Sequence, residues 1–236
     1  MIKKLITLFK LGRKVAKSDI LNIVSKFQEP PLAIKILFKV LSFSFSSKKL
    51  DDFNKDEGER LSNSLESMGT TFIKLGQFLA TRPDIIGEEL ANDLEKLQDK
   101  LPPFDINLAK NILRKNYGET KFKTIKSLSD PVAAASIAQV HFAVLEIENI
   151  EKEVAIKILR PEIEKLFNKE LNALLLLAFI TEKLFSKTKR LKLTEVVLLL
   201  RKITKIEMDL RFEAAAANEL YSNTKNDQNI QVPKIY

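Results

Sequence analysis

At 236 residues the chain is long enough for one large domain or two small ones. It has no cysteine, which excludes disulfides, thiolate catalysis and cysteine metal sites, and its single histidine, His141, leaves neither a histidine zinc centre nor a sequence context for a Ser-His-Asp triad. The net charge of +8 is uneven: residues 1–50 carry 11 Lys/Arg against 2 Asp/Glu, and the rest is close to neutral, so the basicity belongs to an N-terminal arm and not to a nucleic-acid-binding body.

Residues 2–24 set Ile2, Leu5, Ile6, Phe9 and Leu11 near one side and Lys3, Lys4, Lys10, Arg13, Lys14 and Lys17 around the other. A basic amphipathic helix of this kind can lie on an anionic membrane surface, or dock on its own domain. An apolar segment follows at 30–45 and a Ser/Lys/Asp-rich linker at 46–56. Residues 1–50 are thus read as a helical N-terminal region. No stretch reaches about 18 uncharged apolar residues, so no membrane span is expected. "LNALLLLAFI" (171–180) reads as a buried helix.

A helical region is expected from 56 to 118. Asp56 and Glu59 fit a capping box for its first helix. The run 59–81 reads as helix and takes in most of "TTFIKLGQFLATRPDII" (70–86), whose Phe72, Ile73, Leu75, Phe78 and Leu79 make an apolar face. Lys74, Gln77 and Thr81 form a polar stripe beside Gly76, a residue that costs about 1 kcal/mol in mid-helix relative to Ala. The economical reading of this window is a wet face with a packing notch. A second helix over 87–99 ends at "KLPPF"; Asp105 can cap a third, and Gly118 can stop it.

Between 122 and 160 the periodicity shortens. "FKTIKSL", "SIAQVHFAVLEI" and "EVAIKIL" read as three antiparallel strands, with turns at Asp130-Pro131 and at 148–152. Helix returns over 162–222 in two long segments separated near 186–192. "IQVPKIY" at the end reads as the start of another strand.

The chemistry lies in two motifs. Val154-Ala155-Ile156-Lys157 matches the strand tetrapeptide whose lysine contacts nucleotide phosphates in protein kinases; alternation puts Ala155 and Lys157 on one face, Val154 and Ile156 on the other. Roughly 22 residues upstream, "PVAAASIAQVH" (131–141) stands where a kinase has its glycine-rich phosphate loop, with Ala133, Ala134 and Ala135 in place of glycines. Each alanine adds a Cβ and restricts positive φ. His141 reads as structural.

Together with "KLGQFLATRPD" these motifs resemble the UbiB/AarF/ADCK atypical-kinase-like family of ubiquinone biosynthesis and prenyl-lipid metabolism. Its Lys-x-Gly-Gln signature is met by Lys74, Gly76 and Gln77, and the following Arg-x-Asp by Arg82 and Asp84. "LEKLQDKLPPF" (94–104) also matches, as does the Ala-rich loop at 131–137. "EMDLRFEAAAANEL" supplies the Glu-x-Asp motif with Glu207, Asp209, Arg211 and Glu213. The resemblance runs from about residue 56 to the end. Ala138 stands where members usually have Gly, and Gly87 where many have Pro.

The resemblance implies an α+β fold: an incomplete protein-kinase-like N-lobe with a short antiparallel sheet over 119–236, and a family-specific helical extension before it. It implies that Ala133, Ala134, Ala135 and Ser136, with Lys157, bind ATP or ADP together with Mg²⁺. In ordinary kinases the glutamate partner of the strand lysine follows soon after it, which would favour Glu170 or Glu182. The family's later helix moves that role to Glu213. Lys74 and Gln77 would fold over the nucleotide with Glu207 and Asp209 nearby, and Gly76 would allow close packing against the lobe. No catalytic-loop Asp/Asn and no DFG is present, so the metal ligands are expected outside this sequence, and the chain is expected to be a truncated or split product that is catalytically incomplete alone. The implied setting is peripheral, on the cytoplasmic side of a bacterial inner membrane. Ubiquinone-biosynthesis proteins or prenyl-lipid intermediates are the implied partners, and nucleic acid is not. The rival reading is a non-enzymatic helical module that binds membrane or partner proteins.

Overall fold

The computed structural model describes residues 9, 10, 12–14, 57–97, 101–184 and 186–236. Most of the amphipathic segment 2–24, the apolar segment 30–45, the linker and Asp56 lie outside these residues. The chain forms two compact units, Met1–Leu177 and Ala178–Tyr236.

In the first unit, α1 (Glu57–Met68), α2 (Thr70–Ala80), α3 (Pro83–Ile86) and α4 (Glu88–Glu95) precede α5 (Ile106–Phe122). The expected continuous helix over 59–81 is in fact two. The break is Gly69, whose φ of 97° lies where a side chain is strained. The helix expected over 87–99 stops at Glu95. Asp105 caps α5 as its position suggests, accepting hydrogen bonds from the Asn107 N–H at 2.8 Å and the Leu108 N–H at 3.3 Å. Gly118, at φ 75°, interrupts α5 without ending it, and a last turn runs on to Phe122.

The sequence of α2 is more apolar than a surface helix requires, and the helix is enclosed accordingly. Phe72, Ile73 and Phe78 are buried, Lys74 and Gln77 are half-buried, and only Thr81 of the polar stripe is exposed. The wet-face reading therefore fails for two of its three residues. Leu65 and Met68 of α1, Phe72, Ile73 and Ala80 of α2, and Leu94 of α4 share one core. Residues 9, 10 and 12–14 are helical. Within them the Lys14 ammonium donates to the Met68 carbonyl at 2.9 Å, a cation on the C-terminal end of α1, and pairs with Glu170 at 3.4 Å.

The sheet consists of β1 (Ile125–Ala134), β2 (Ala138–Ile147) and β3 (Ile150–Leu159), antiparallel in the order β1-β2-β3. Glu148 and Asn149, at φ 55° and 63°, make the two-residue turn between β2 and β3. Asp130-Pro131 is not the turn expected of it. It lies inside β1 at a bulge, with the register shifting between Leu128 and Pro131 and again by Ala133. The bulge is bonded by side chains: the Phe142 N–H donates to Ser129 Oγ at 3.0 Å, and His141 Nδ1 reaches the Ser129 carbonyl at 2.8 Å. The inward face of the sheet packs on α5 through Ile156, Ile158, Ala109 and Leu113.

α6 (Ile163–Leu184) follows β3. "LNALLLLAFI" falls in it but is not wholly buried: Leu171, Ala173 and Ala178 are, whereas Phe179 is 56% exposed. Among the described residues no helix is long and apolar enough to cross a membrane.

The second unit contains a 3₁₀ turn (Ser186–Leu191), α7 (Leu193–Glu207) and α8 (Leu210–Thr224). The single long segment expected after residue 192 breaks at Met208 and Asp209, because Asp209 is an N-cap: its carboxylate accepts from the Arg211 N–H at 3.1 Å. Residues 230–236 carry no strand. At the start of α7, Lys192 has a left-handed backbone and no capping side chain. Glu182 supplies the cap instead, accepting from Thr194 Oγ1 at 2.7 Å and the Thr194 N–H at 3.1 Å. The Thr194 hydroxyl, and then its N–H, hold the Glu182 carboxyl below the usual range. A depressed folded-state value contributes stability that is complete above the ordinary glutamate value of about 4.3 and is lost as pH falls through the folded value. Glu182→Ala is therefore expected to lower the thermal midpoint at pH 7, and by progressively less as the pH falls through the folded-state value, as read by circular dichroism.

Candidate functional site

Cross-strand register places the kinase-like lysine. Lys157 pairs with Val140 across β3 and β2, and Val140 pairs with Ala133 across β2 and β1. Directly opposed residues share a face, so Ala133, Val140, Lys157 and, two positions on, Phe142 and Ala155 stand together on the face opposite α5. The expected alternation holds: Ala155 and Lys157 are exposed, and Val154 and Ile156 are half-buried. Phe142 is 61% exposed, so the face is open at its centre.

The Ala-rich segment is tighter than a phosphate loop of 131–141 would be. Residues 131–134 finish β1, and the connection is only Ala135, Ser136 and Ile137. The Ala135 N–H closes it by donating to the Ala138 carbonyl at 2.8 Å. Ser136 is fully buried and Ile137 nearly so, while Ala133 is exposed beside Lys157. The inward apolar side chain of the turn is Ile137, and Ala134 and Ala135 are only half-buried.

Two residues that the motif reading did not single out hold this end of the sheet. Arg160, just past β3, donates from Nε to the Ala135 carbonyl at 2.8 Å, and its backbone N–H donates to the Ile137 carbonyl at 2.8 Å. Gln139 is fully buried and binds both backbone groups of Phe104: Oε1 accepts from the N–H at 2.8 Å, and Nε2 donates to the carbonyl at 3.2 Å. Gln139 Nε2 also lies 2.8 Å from His141 Nε2. Because the amide nitrogen donates, His141 Nε2 accepts, and the ring proton sits on Nδ1, directed at Ser129. His141 is thus a satisfied core histidine, as its context suggested. A signal for Gln139 was available: a lone amide in an apolar strand needs buried partners.

The Lys-x-Gly-Gln residues lie on α2. Gly76 is buried, and a Cβ added there would stand 2.8 Å from Leu65 Cδ1 and 3.0 Å from Leu97 Cδ1. The notch therefore takes leucines of the helical extension itself, not the lobe. Arg82 and Asp84 close on each other, Nε to Oδ1 at 2.7 Å and the terminal nitrogen to Oδ2 at 2.6 Å, between α2 and α3. Their hydrogen bond holds Asp84 below the usual carboxylate range and Arg82 above its own.

The acidic motif belongs to the second unit. Glu207 ends α7, Asp209 caps α8, and Glu213 is exposed in the first turn of α8. Arg211 pairs locally, its guanidinium on the Asp209 carboxylate at 2.8 and 2.6 Å, which depresses the carboxyl and raises the guanidinium. Glu170 and Glu182, the two glutamates that ordinary kinase spacing would favour as lysine partners, are occupied by Lys14 and Thr194. Among the described residues no three His, Cys, Asp or Glu groups come together as a metal site.

Residues 96–236 match the ABC1 atypical kinase-like domain. The chain is 39% identical over 209 residues to "Probable protein kinase UbiB" of Marinobacter nauticus, covering 88% of this chain and 37% of that protein. It is 32% identical over 232 residues to the proteins of the same name from Pseudomonas paraeruginosa and Pseudomonas aeruginosa, covering 97% of this chain and 42% of each. The chain thus spans well under half the length of the curated relatives it matches. With a three-stranded antiparallel sheet, its strand lysine on the open face and the domain match over that sheet, the chain belongs to the UbiB/ADCK family of ABC1 atypical kinase-like proteins.

Proposed function

We propose that this chain is the nucleotide-binding N-terminal part of a kinase- or ATPase-like protein that supports ubiquinone or related prenyl-lipid biosynthesis. The observation that carries the reading is the position of Lys157, exposed on the open sheet face in register with Ala133 at the base of the Ala-rich hairpin. In this reading the Lys157 ammonium meets the α- and β-phosphates of ATP or ADP, the electrostatic positioning on which phosphoryl transfer depends. Ala133, Ala134, Ala135 and Ser136 line the phosphate side. Lys74 and Gln77 act as the lid, while Gly76, Arg82 and Asp84 shape the helix that presents it. Mg²⁺ would neutralise phosphate charge when bound with the nucleotide. The described acidic residues form no cage for it, Asp209 being held by Arg211, and no step is assigned to the metal.

Peripheral attachment to an anionic inner-membrane surface on the cytoplasmic side belongs to the same reading. Its support is the exposure of Phe9 and Lys10 in the N-terminal helical residues, an aromatic and a cation available to a headgroup layer.

Titration with a fluorescent ATP analogue tests the reading. Wild-type chain is expected to bind, and Lys157→Ala to weaken binding about tenfold or more, the effect of removing a charged hydrogen-bond donor from a phosphate. Equal affinity in the variant, or no binding by wild type, would sink it. No nucleotide binding combined with sedimentation on anionic vesicles would favour the membrane- or partner-binding helical module.

A further inference from the structure

The Ala-rich hairpin is short, a connection of Ala135, Ser136 and Ile137. Besides its own Ala135-to-Ala138 bond, it is held from the residue that follows β3. Arg160 takes two of the turn's carbonyls, Ala135 through its Nε and Ile137 through its own backbone N–H, both at 2.8 Å. A trans peptide is planar, with its C=O and N–H pointing in opposite directions. Fixing these two carbonyls therefore fixes the planes of the Ala135–Ser136 and Ile137–Ala138 peptides, and with them the direction in which each following N–H points. The guanidinium also reaches the Leu101 carbonyl, at a longer 3.4 Å, and lies 6.0 Å from the centre of the Phe104 ring. The Leu101 N–H in turn reaches the Ala134 carbonyl at 3.4 Å. One side chain thus ties the hairpin to the 101–104 connection that joins the Lys-x-Gly-Gln helices to the sheet.

We propose that Arg160 is the positioning residue of the Ala-rich hairpin, holding its peptide planes in the orientation that receives a nucleotide's phosphates and linking that orientation to the Leu101–Phe104 connection. Its consequence for binding rests on the nucleotide reading above; the clamp itself does not. A guanidinium is suited to the task because its planar fork offers several donors in fixed directions, whereas a lysine offers one compact charge.

Amide hydrogen exchange on the full chain without nucleotide tests the clamp. In Arg160→Gln, which removes the side-chain bond to Ala135 and keeps the backbone bond to Ile137, the amides of residues 135 and 136 are expected to exchange about tenfold faster, the size of a lost charge-assisted hydrogen bond. Residues 142–145 and 152–155, in the middle of the β2–β3 ladder, keep their rates. Arg160→Lys is expected to restore the hairpin only in part. The nucleotide Kd should rise about fivefold or more in Arg160→Gln at temperatures where the variant is fully folded, with the thermal midpoint lower by only a few degrees, and Arg160→Lys should recover part of the affinity, a combination that a merely structural arginine would not produce. Wild-type protein supplies a check that needs no variant: the Arg160 Nε–H should exchange slowly with water in a ¹⁵N spectrum. Hairpin exchange unchanged in the variant, or an Arg160 Nε–H exchanging like a solvated guanidinium, overturns the clamp. If wild type binds no nucleotide, the nucleotide reading fails while the exchange data still decide the clamp. If wild type binds and Arg160→Gln loosens the hairpin without moving Kd, the positioning role fails and the nucleotide reading stands.

Discussion

Replacing Gln139 with leucine is expected to cost about 4 kcal/mol of unfolding free energy. The side chain is fully buried and satisfies three groups at once: the Phe104 N–H, the Phe104 carbonyl and His141 Nε2. Leucine preserves the approximate volume but leaves all three without their partner, and each orphaned buried group costs about 1–3 kcal/mol. The loss should reach further than the strand. The Phe104 bonds fasten the segment leading into α5, and the ring of Phe104 lies against the core shared by α5 and the sheet. Urea unfolding at neutral pH measures the effect as a lower midpoint. A change below about 1 kcal/mol would show that water or another side chain takes over these bonds, and that the Gln139–His141 pair is not the fastening described.

The second large effect is at Gly76, and its sign is the informative part. If Gly76 faced water, alanine would stabilise α2 by about 1 kcal/mol through helix propensity alone. Here the added Cβ meets Leu65 and Leu97, at 2.8 and 3.0 Å, from two directions, and both leucines are buried in one core. Overpacking of this kind costs about 1–3 kcal/mol, which offsets the propensity gain, so Gly76→Ala is expected to destabilise by about 1 kcal/mol. Gly76→Val adds two more carbons and a β-branch in the same notch, and a loss of about 3 kcal/mol is expected. Urea unfolding of the two variants checks the order. A stabilised alanine variant would mean that the leucines swing aside at no cost. Because the notch belongs to the helical extension, these variants should perturb the Lys74 and Gln77 helix before they perturb the sheet.

How much of this was legible in the sequence varied with the range of the interaction that decides it. Asp105 reads as a cap and is one, because capping involves only the next few residues. Lys157 and Ala155 read as sharing a face, and they do, because strand alternation is local. The Asp130-Pro131 dipeptide misleads for the opposite reason. Its local preference is a turn, but His141 and the Phe142 N–H, from the paired strand, bond Ser129 and keep the chain extended through the bulge. The break at Met208 and Asp209 comes from a residue with two possible roles: Asp209 fits the Glu-x-Asp motif, and its carboxylate also caps α8. Gly69 and Gly76 show the same difficulty within one helix pair. Nothing in the sequence distinguishes them, but one bends the backbone at positive φ and the other makes room for Leu65 and Leu97. Arg160 was invisible as a hairpin clamp because its partners are carbonyls, which every sequence position has. The family motifs named the right neighbourhood, and only the fold shows what bonds to what inside it.

The proline inside β1 has a further consequence. Among the described residues no strand pairs with the outer edge of β1, and an open edge presents a row of donors and acceptors that another unfolding chain can join. Pro131 contributes no N–H to such a row, and the extra residues of the bulge upset its spacing on either side. A newcomer strand would find no continuous template along β1. A feature that looks like a misplaced turn thus works against strand addition along β1, on the side where the Ala-rich hairpin begins.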